Sequence, residues 1–201
     1  MADWSAAALI GDHPALLFVN TVGGRTRARD VEYLHEFTDA ADWAHAAGLL
    51  EPQEHEYLLS RAAHDPAEAG GALAELREQR EALHAFLLAG VERIRCERAV
   101  RDRVKADILA AQREAEPTEL FRDRRSWVFD VARLGPRLVA RRAALASAEL
   151  LLSEQRSLIG VCGRCSWLFL DPSPSRRRRW CSMAICGNRA KVERHQRGRG
   201  R

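Results

Sequence analysis

Cys162-Gly-Arg-Cys165, followed after fifteen residues by Cys181-Ser-Met-Ala-Ile-Cys186, decides the fold of the end of this chain. The four cysteines form two short pairs with the spacing C-x2-C-x15-C-x4-C. This spacing is typical of structural zinc sites, in which each pair supplies two thiolates to one tetrahedral ion. The sequence therefore predicts one bound Zn²⁺ held by Cys162, Cys165, Cys181 and Cys186.

Other uses of paired cysteines fit this chain less well. Disulfide frameworks are typical of small secreted domains, whereas a chain of 201 residues can bury a sizeable core. Residues 1–20 lack a basic leader followed by an apolar stretch, and no segment holds the ~18 consecutive apolar residues that a membrane span needs. We therefore expect a cytoplasmic protein with no membrane partner, and a redox switch or unpaired thiols are the alternatives to zinc.

The predicted zinc site is closed, which favours a structural ion over a catalytic one. Catalytic zinc usually keeps three protein ligands, mostly His or carboxylate, and leaves its fourth position to water. Here four cysteines fill the coordination sphere, and the chain contains no H-E-x-x-H or H-x-E motif. We therefore expect no enzyme activity, and the ion would supply folding free energy to a segment too small to fold alone.

Charge is distributed unevenly along the chain. Residues 155–201 contain twelve Lys or Arg against two acids, a net charge of +10. Residues 1–154 hold 20 basic against 26 acidic side chains, a net charge of −6. Because clustered Lys and Arg attract phosphate backbones regardless of sequence, we expect the basic end to contact nucleic acid.

The basic residues lie on both sides of the second cysteine pair. A run of four arginines leads directly into Trp180 and Cys181, so a zinc ion would anchor one end of the run. After Cys186, basic residues recur every three positions, close to helical spacing, and predict a basic helix that leaves the zinc site. The predicted nucleic-acid-binding residues are Arg176, Arg177, Arg178, Arg179, Asn188, Arg189, Lys191 and Arg194. A solvated terminal helix or an acidic protein partner are the alternatives.

Three aromatic residues flank the cysteines, namely Trp167, Phe169 and Trp180. Aromatic rings can stack on unpaired bases. However, the alternation in residues 167–170 indicates a short strand, whose side chains would pack under the following helix. This pattern favours a small core over the zinc site.

These features together resemble a known family. The CGNR zinc finger of bacterial proteins is similar to three runs of this chain, Cys162-Gly-Arg-Cys165-Ser-Trp-Leu-Phe-Leu-Asp171, Arg178-Arg-Trp-Cys-Ser-Met183 and Cys186-Gly-Asn-Arg189-Ala-Lys191. In that family the finger follows an N-terminal domain called ABATE, whose opening signature resembles His13-Pro-Ala-Leu-Leu-Phe-Val-Asn-Thr-Val22. The resemblance covers nearly the whole chain, and it implies a stress-responsive transcription regulator with zinc held by the four cysteines.

One position departs from the family pattern. Members commonly carry Ser-Arg-Asn after the Leu-Asp pair, whereas here Ser173 is followed by Pro174 and Ser175. If that Arg-Asn pair contacts nucleic acid in the family, Arg176 and Arg177 would have to compensate in this chain.

The rest of the sequence predicts a mainly α fold with a small β-hairpin. Apolar residues at helical spacing predict helices over residues 39–49, 52–63 and 136–155, and one or two long helices over about 72–115. Gly70-Gly71 is expected to interrupt the chain before that region. Residues 119–132 predict the hairpin. We expect a helical ABATE-like regulatory domain over residues 1–156. A CGNR-type zinc finger, a short β element with a basic helix and tail, would follow over residues 157–201.

A polar cluster follows the apolar run at residues 16–19. Asn20, Thr21 and Arg25, with Arg27 and Arg29 nearby, predict a site for a small-molecule or anionic ligand, because arginine binds carboxylate and phosphate. The alternative is that Asn20 and Thr21 satisfy a turn or helix end and that the arginines are solvated.

The predicted function is a DNA-binding transcription regulator whose finger contacts duplex DNA and whose N-terminal domain senses a ligand or stress. The alternative is a zinc-stabilised module that binds a protein or RNA. No zipper pattern predicts a dimer.

Overall fold

A computed structural model of the protein describes residue 4, residues 9–117 and residues 127–199. The helices are α1 (Pro14–Val19), α2 (Phe37–Ala46), α3 (Pro52–His64), α4 (Pro66–Glu92), α5 (Arg98–Glu114), α6 (Val131–Leu134), α7 (Leu138–Leu152) and α8 (Asn188–Arg199). The strands are β1 (Ala115–Pro117), β2 (Trp127–Phe129), β3 (Ile159–Val161) and β4 (Leu168–Leu170). The predicted mainly α fold is confirmed. Among the described residues, no helix combines the length and apolar character that crossing a bilayer requires.

Helix α4 begins earlier than the sequence predicts, because it starts at Pro66 and runs through Gly70-Gly71. The Asp65 carboxylate accepts a hydrogen bond of 2.9 Å from the backbone N–H three residues on. Pro66 occupies the first turn, where no intrahelical N–H donor is needed. Each glycine costs about 1 kcal/mol relative to alanine inside a helix. The cap and the burial of the following Leu73 outweigh that cost.

The helices enclose an apolar core in which α1 is central. Leu16 and Phe18 of α1 are fully buried, and the Phe18 ring lies 5.3 Å from the indole of Trp43 on α2. The His13 imidazole caps the helix by accepting a hydrogen bond of 3.2 Å from a backbone N–H of the first turn. A helix of six residues is too short to be stable by propensity, so packing against α4 and α7 holds it in place.

Two antiparallel hairpins are formed by the four strands. β1 pairs with β2, Ala115 opposite Phe129, and β3 pairs with β4, Ile159 opposite Leu170. The hairpin predicted over residues 119–132 therefore begins earlier, and residues 118–126 of that prediction lie outside the described residues. Pro117 explains the shift, because proline disfavours helix at the residue before it and leaves the end of α5 to continue as a strand.

The second hairpin joins the end of the chain to the helical core. A 3₁₀ turn over Glu154–Leu158 connects α7 to β3. Leu168 and Leu170 of β4 are buried in the same core as α1, whereas Phe169 is buried with the cysteines. Because neighbouring strand residues point to opposite faces, β4 contributes to both cores. The domain boundary predicted between residues 156 and 157 stays a prediction.

Candidate metal centre and nucleic-acid surface

The four predicted ligands meet in one buried cluster. The side chains of Cys162, Cys165, Cys181 and Cys186 are buried, and their sulfur atoms all lie within 4.8 Å of one another. Three of the sulfur pairs are 3.6 Å apart. A disulfide requires about 2.05 Å, whereas four thiolates at about 2.3 Å around one zinc ion lie about 3.8 Å apart. The cluster therefore fits one tetrahedral Zn²⁺, and the predicted cofactor is confirmed.

Backbone hydrogen bonds hold the two cysteine pairs together. The Cys162 N–H donates to the carbonyl of Trp167 at 2.9 Å and closes the first knuckle. The adjacent Gly163 N–H donates to the carbonyl of Arg179 at 2.9 Å. A Cβ on Gly163 would lie 3.3 Å from the Trp180 ring, so a side chain there would crowd the second segment. The first knuckle is thus attached directly to the chain that leads into the second.

The second knuckle is built around a π-helical turn over Met183–Gly187. The Ser182 hydroxyl accepts a hydrogen bond of 3.3 Å from a backbone N–H inside this turn, and the Ser182 carbonyl accepts one of 3.0 Å from Gly187. Cys186 lies in the turn, and α8 begins two residues later. The path of α8 away from the cluster is therefore set next to a zinc ligand.

The environment of the sulfur atoms favours a bound cation. Hydrogen bonding with the Cys162 sulfur, together with burial, raises the pKa of Cys165 to about 12. Hydrogen bonding with the same sulfur and burial raise the pKa of Cys181 well above its usual range. Several buried thiolates can share this small volume only if a cation compensates their charge, which is the contribution of zinc.

The interpretation of Trp167 and Phe169 as core residues is confirmed, because both are buried with the cysteines. Trp180 is half-buried beside them, and the Arg179 guanidinium lies 5.3 Å from the centre of its ring. These rings supply the apolar material of a finger that has little other core.

The four consecutive arginines have different surroundings. The Arg178 guanidinium turns back onto the finger and lies 4.5 Å from the centre of the Phe169 ring. It donates hydrogen bonds to the carbonyls of Leu170 at 3.1 Å, Trp180 at 2.9 Å and Cys181. Arg178 therefore connects β4 to the second knuckle.

All four arginines of the run are exposed, and the other three are not drawn onto the Phe169 ring as Arg178 is. Arg176 donates to the carbonyl of Ser157 at 3.1 Å and so reaches back to the turn before β3. Arg179 lies over Trp180, and Arg177 is exposed. This arrangement leaves guanidinium groups at the surface of a segment whose backbone is fixed.

The loop that carries these arginines is organised by Asp171. Its carboxylate accepts hydrogen bonds from the Ser173 hydroxyl at 2.6 Å and from the Arg178 N–H at 2.9 Å. These bonds lower the pKa of Asp171. The loop includes Pro174 and Ser175, where the sequence departs from the family pattern.

Helix α8 carries the remaining predicted nucleic-acid residues. The side chains of Asn188, Arg189 and Lys191 are exposed on its first turn. Arg194 lies further along the same helix, but its side chain is outside the part of the chain that the structure describes. The structure thus brings one basic loop and one basic helix to the two sides of the second knuckle.

Asn20 and Thr21 lie at the contact between the helical region and the finger. The Asn20 amide donates to the carbonyl of Leu168 at 2.8 Å and accepts from the Leu168 N–H at 2.9 Å. The Thr21 hydroxyl donates to the carbonyl of Phe18 at 2.8 Å, and Arg25 is exposed. The ligand site predicted at these residues stays a prediction, and the amide of Asn20 is engaged within the chain.

Trp167 completes this contact from the side of the finger. Its indole N–H donates to the carbonyl of Val22 at 3.0 Å. A Cβ on Gly24 would lie 2.5 Å from the indole ring, and one on Gly23 would lie 2.6 Å from the Ser166 hydroxyl. Both glycines also have positive φ, which other residues adopt at a cost. The Gly23-Gly24 pair therefore permits the helical region and the finger to approach closely.

Two buried polar residues of α4, Arg80 and His84, lie near the contact between the helical region and the finger, and the sequence analysis does not predict them. Arg80, 3 % exposed, donates to both carboxylate oxygens of Glu32 at 2.7 Å. One turn further on, His84 lies with its Nε2 3.3 Å from the carbonyl of Ser166 in the finger. The available signal was the spacing, because Arg80 and His84 are four positions apart and interrupt the leucine stripe of an otherwise apolar helix face.

Comparison with known families agrees with this architecture. Residues 12–154 match the ABATE family, described as "Putative stress-induced transcription regulator", and residues 159–199 match the family described as "CGNR zinc finger". All four clustered cysteines fall in the second range. No curated protein matches the chain. Because the first match spans well over half of the residues, the chain belongs to the ABATE family and carries a CGNR zinc finger after that domain.

Proposed function

We propose that this protein regulates transcription by binding duplex DNA through its zinc finger. One observation carries the proposal: exposed arginines lie on a loop whose backbone is attached to the zinc knuckle. Arg177 is exposed, and the carbonyl of the nearby Arg179 is held by the Gly163 N–H at 2.9 Å. Because such a loop loses little conformational freedom on binding, its charges can contact phosphates at a low entropic cost.

The predicted residues divide into three roles in this proposal. Arg176, Arg177 and Arg179 contact phosphates, while Arg178 keeps the loop attached to the finger. The residues on α8 supply contacts to phosphates and base edges, since guanidinium groups pair with guanine and side-chain amides pair with adenine. These are Asn188, Arg189, Lys191 and Arg194.

The helical region has the regulatory role in this proposal, in a cytoplasmic protein without a catalytic function. Its contact with the finger through Asn20 and Trp167 supports that role. Through this contact, a change in the packing of the helices can alter the position of the DNA-binding loop.

Binding to genomic DNA tests the proposed function. Purified zinc-loaded protein is incubated with labelled genomic duplex fragments, excess nonspecific DNA and RNA competitors, at two salt concentrations. We expect a few fragments to be retained over the competitors at both salt concentrations. If all binding is lost at the higher salt, or if RNA is preferred, the duplex-reading function is wrong and a zinc-stabilised module for RNA or protein takes its place.

A further inference from the structure

The helical region presents two arginines beside the finger, on the loop formed by residues 23–31. The loop is closed by a hydrogen bond of 2.7 Å from the Gly23 N–H to the carbonyl of Val31. Residues 25–27, here called the arginine tip, are exposed at its end and include Arg25 and Arg27. By contrast, Arg29 turns inward and donates to the carbonyl of Val19 at 3.1 Å. Only the tip arginines of this loop therefore face solvent.

The zinc knuckle fixes the position of the arginine tip. Arg164, between Cys162 and Cys165, donates a hydrogen bond of 2.7 Å to the carbonyl of Arg25. The Trp167 contacts with Val22 and Gly24 hold the residues that lead into the loop. The tip is thus attached to the finger, although it belongs to a segment more than 130 residues earlier in the chain.

The same guanidinium joins the arginine tip to α8. While one nitrogen of Arg164 contacts the tip, the other pairs with the carboxylate of Glu193 on α8. The tip and α8 therefore flank a single side chain. The acids nearby are engaged, because Glu193 is paired with Arg164, and Asp30 accepts a hydrogen bond of 3.1 Å from the Thr26 hydroxyl. Asp30 keeps its negative charge, but four exposed basic residues outnumber it on the surface formed by the tip and the start of α8, namely Arg25, Arg27, Arg189 and Lys191.

We propose that the arginine tip is a second DNA-contacting element, and that the phosphate backbone of one duplex spans the tip and α8. The inference rests on the proposed function, and it extends the binding surface from the finger to the ABATE region. Exposed guanidinium groups on a held backbone recognise phosphate by charge and by paired N–H donors. The contact has no reason to depend on base sequence.

The salt dependence of binding by the full-length, zinc-loaded protein tests this inference. The logarithm of the affinity falls linearly with the logarithm of the salt concentration, and each lost phosphate contact makes this line shallower by about 0.9. For Arg25→Ala/Arg27→Ala, we expect weaker binding to an operator-sized duplex. When salt is raised from about 50 to about 200 mM, the affinity of both proteins falls. The factor by which it falls should be roughly ten times smaller for this variant than for the parent protein.

A matched control removes the same charge far from the finger. Arg133 and Arg137 are exposed on either side of Gly135, which approaches Glu68 near the start of α4. His84, which contacts the finger, lies roughly 24 Å further along the same helix. Arg133→Ala/Arg137→Ala should therefore leave the salt slope unchanged. Equal effects of the two double variants would show a general charge effect and overturn the proposal.

A finger variant separates failure of this inference from failure of the proposed function. If Arg177→Ala weakens DNA binding but Arg25→Ala/Arg27→Ala does not, the finger binds DNA and the arginine tip takes no part. If neither variant changes binding, the arginine tip takes no part and the finger contacts DNA through residues other than Arg177. If the parent protein retains no duplex fragment over the competitors, the proposed function is wrong and this inference fails with it. Zinc content and thermal unfolding of each variant are measured in parallel, so that a loss of affinity in a misfolded protein is recognised.

Discussion

The side-chain amide of Asn20 pairs with the backbone of Leu168 in the way that a neighbouring strand would. It donates to the Leu168 carbonyl at 2.8 Å and accepts from the Leu168 N–H at 2.9 Å. Both residues are buried, and they are separated by 148 positions in the sequence. One side chain at the end of α1 therefore satisfies both main-chain polar groups of a β4 residue.

Replacing this amide tests how strongly the two regions are coupled. Asn20→Ala leaves a buried N–H and a buried carbonyl without partners, so we expect the free energy of unfolding to fall by about 2–4 kcal/mol. Asn188→Ala is the matched control, because Asn188 is exposed and makes one local bond to the carbonyl of Ala184. Urea unfolding of both zinc-loaded variants measures the difference, and equal losses would contradict the coupling.

The approach of Gly24 to Trp167 gives a second test. Gly24→Ala introduces a methyl group 2.5 Å from the indole ring at a residue with φ of +86°. Gly48→Ala controls for the backbone, because Gly48 has φ of +73° and no atom lies within 4 Å of its added Cβ. We expect the control to cost about 1–2 kcal/mol and Gly24→Ala to cost at least about 1 kcal/mol more. Similar melting temperatures for the two variants would mean that the contact opens without cost.

Two arginines of the run should affect different properties: Arg178 the stability of the protein, and Arg177 its binding to DNA. Arg178→Ala removes three hydrogen bonds to backbone carbonyls and the contact with Phe169, so we expect a loss of about 2 kcal/mol in the free energy of unfolding. Arg177→Ala should change stability by less than about 0.5 kcal/mol but lower the salt slope of DNA binding by about 1. Chemical denaturation and DNA titration of both variants measure the two effects.

Lysine substitutions at the same two positions sharpen this test. Arg178→Lys keeps the charge but loses the planar donor group, so it should be nearly as destabilising as Arg178→Ala. Arg177→Lys should retain most of the DNA affinity. The assignment of Arg178 to a supporting role is wrong if Arg178→Lys has the stability of the parent protein.

His84 predicts a pH dependence of stability. Burial, followed by the nearby Arg29 guanidinium, lowers the pKa of His84 from 6.5 to about 4, while Glu81 and the Ser166 carbonyl act in the opposite direction and Arg80 adds to the lowering. The unfolded chain therefore binds a proton below about pH 6.5 that the folded chain does not. From about pH 7.5 to about pH 5, this residue should lower the free energy of unfolding by about 2 kcal/mol.

The variant His84→Gln isolates this contribution, because glutamine keeps an N–H donor for the Ser166 carbonyl but does not titrate. Acid also weakens zinc binding by protonating thiolates, and that effect is common to both proteins. We expect the decline in unfolding free energy toward pH 5 to be smaller in His84→Gln. Parallel curves for the two proteins would show that folding does not lower the pKa of His84.

The parts of this structure that follow from local pattern were predictable from sequence. The four cysteines lie in two short pairs, and tetrahedral zinc leaves few other arrangements for that spacing. Helix α3 likewise follows from Pro52 at its start and from the spacing of its apolar residues. In both cases the determining residues lie within a few turns of one another.

The parts that depend on distant partners were not predictable. Nothing near Asn20 in sequence indicates that its partner is Leu168, and the prediction of a ligand site there rested on residue types alone. Within the arginine run, the inward turn of Arg178 depends on Phe169 and on carbonyls of a separate segment. The helix continues through Gly70-Gly71 because the cap at Asp65 and the burial of Leu73 act together, and that burial depends on the rest of the fold.

Loss of zinc should destabilise the helical region as well as the finger. Cys181→Ser removes one of four ligands, and structural zinc contributes on the order of 10 kcal/mol to the folding of small fingers, so we expect the bound zinc to be lost and the finger to unfold. β4 would then leave the helical core, in which Leu168 and Leu170 are buried. Each buried leucine contributes about 1.5–3 kcal/mol. The helices of the ABATE region should therefore unfold at a lower temperature than in the parent protein.

Cys96→Ser is the matched control, because Cys96 lies in the turn between α4 and α5, apart from the zinc cluster. It should keep one zinc ion per chain and the helical unfolding transition of the parent protein. Metal analysis and thermal unfolding followed by circular dichroism at a helix wavelength measure both quantities. If Cys181→Ser loses zinc while its helices unfold at the parent temperature, the finger and the helical region fold independently. The Asn20–Leu168 and Trp167–Val22 contacts would then be too weak to transmit the state of one region to the other.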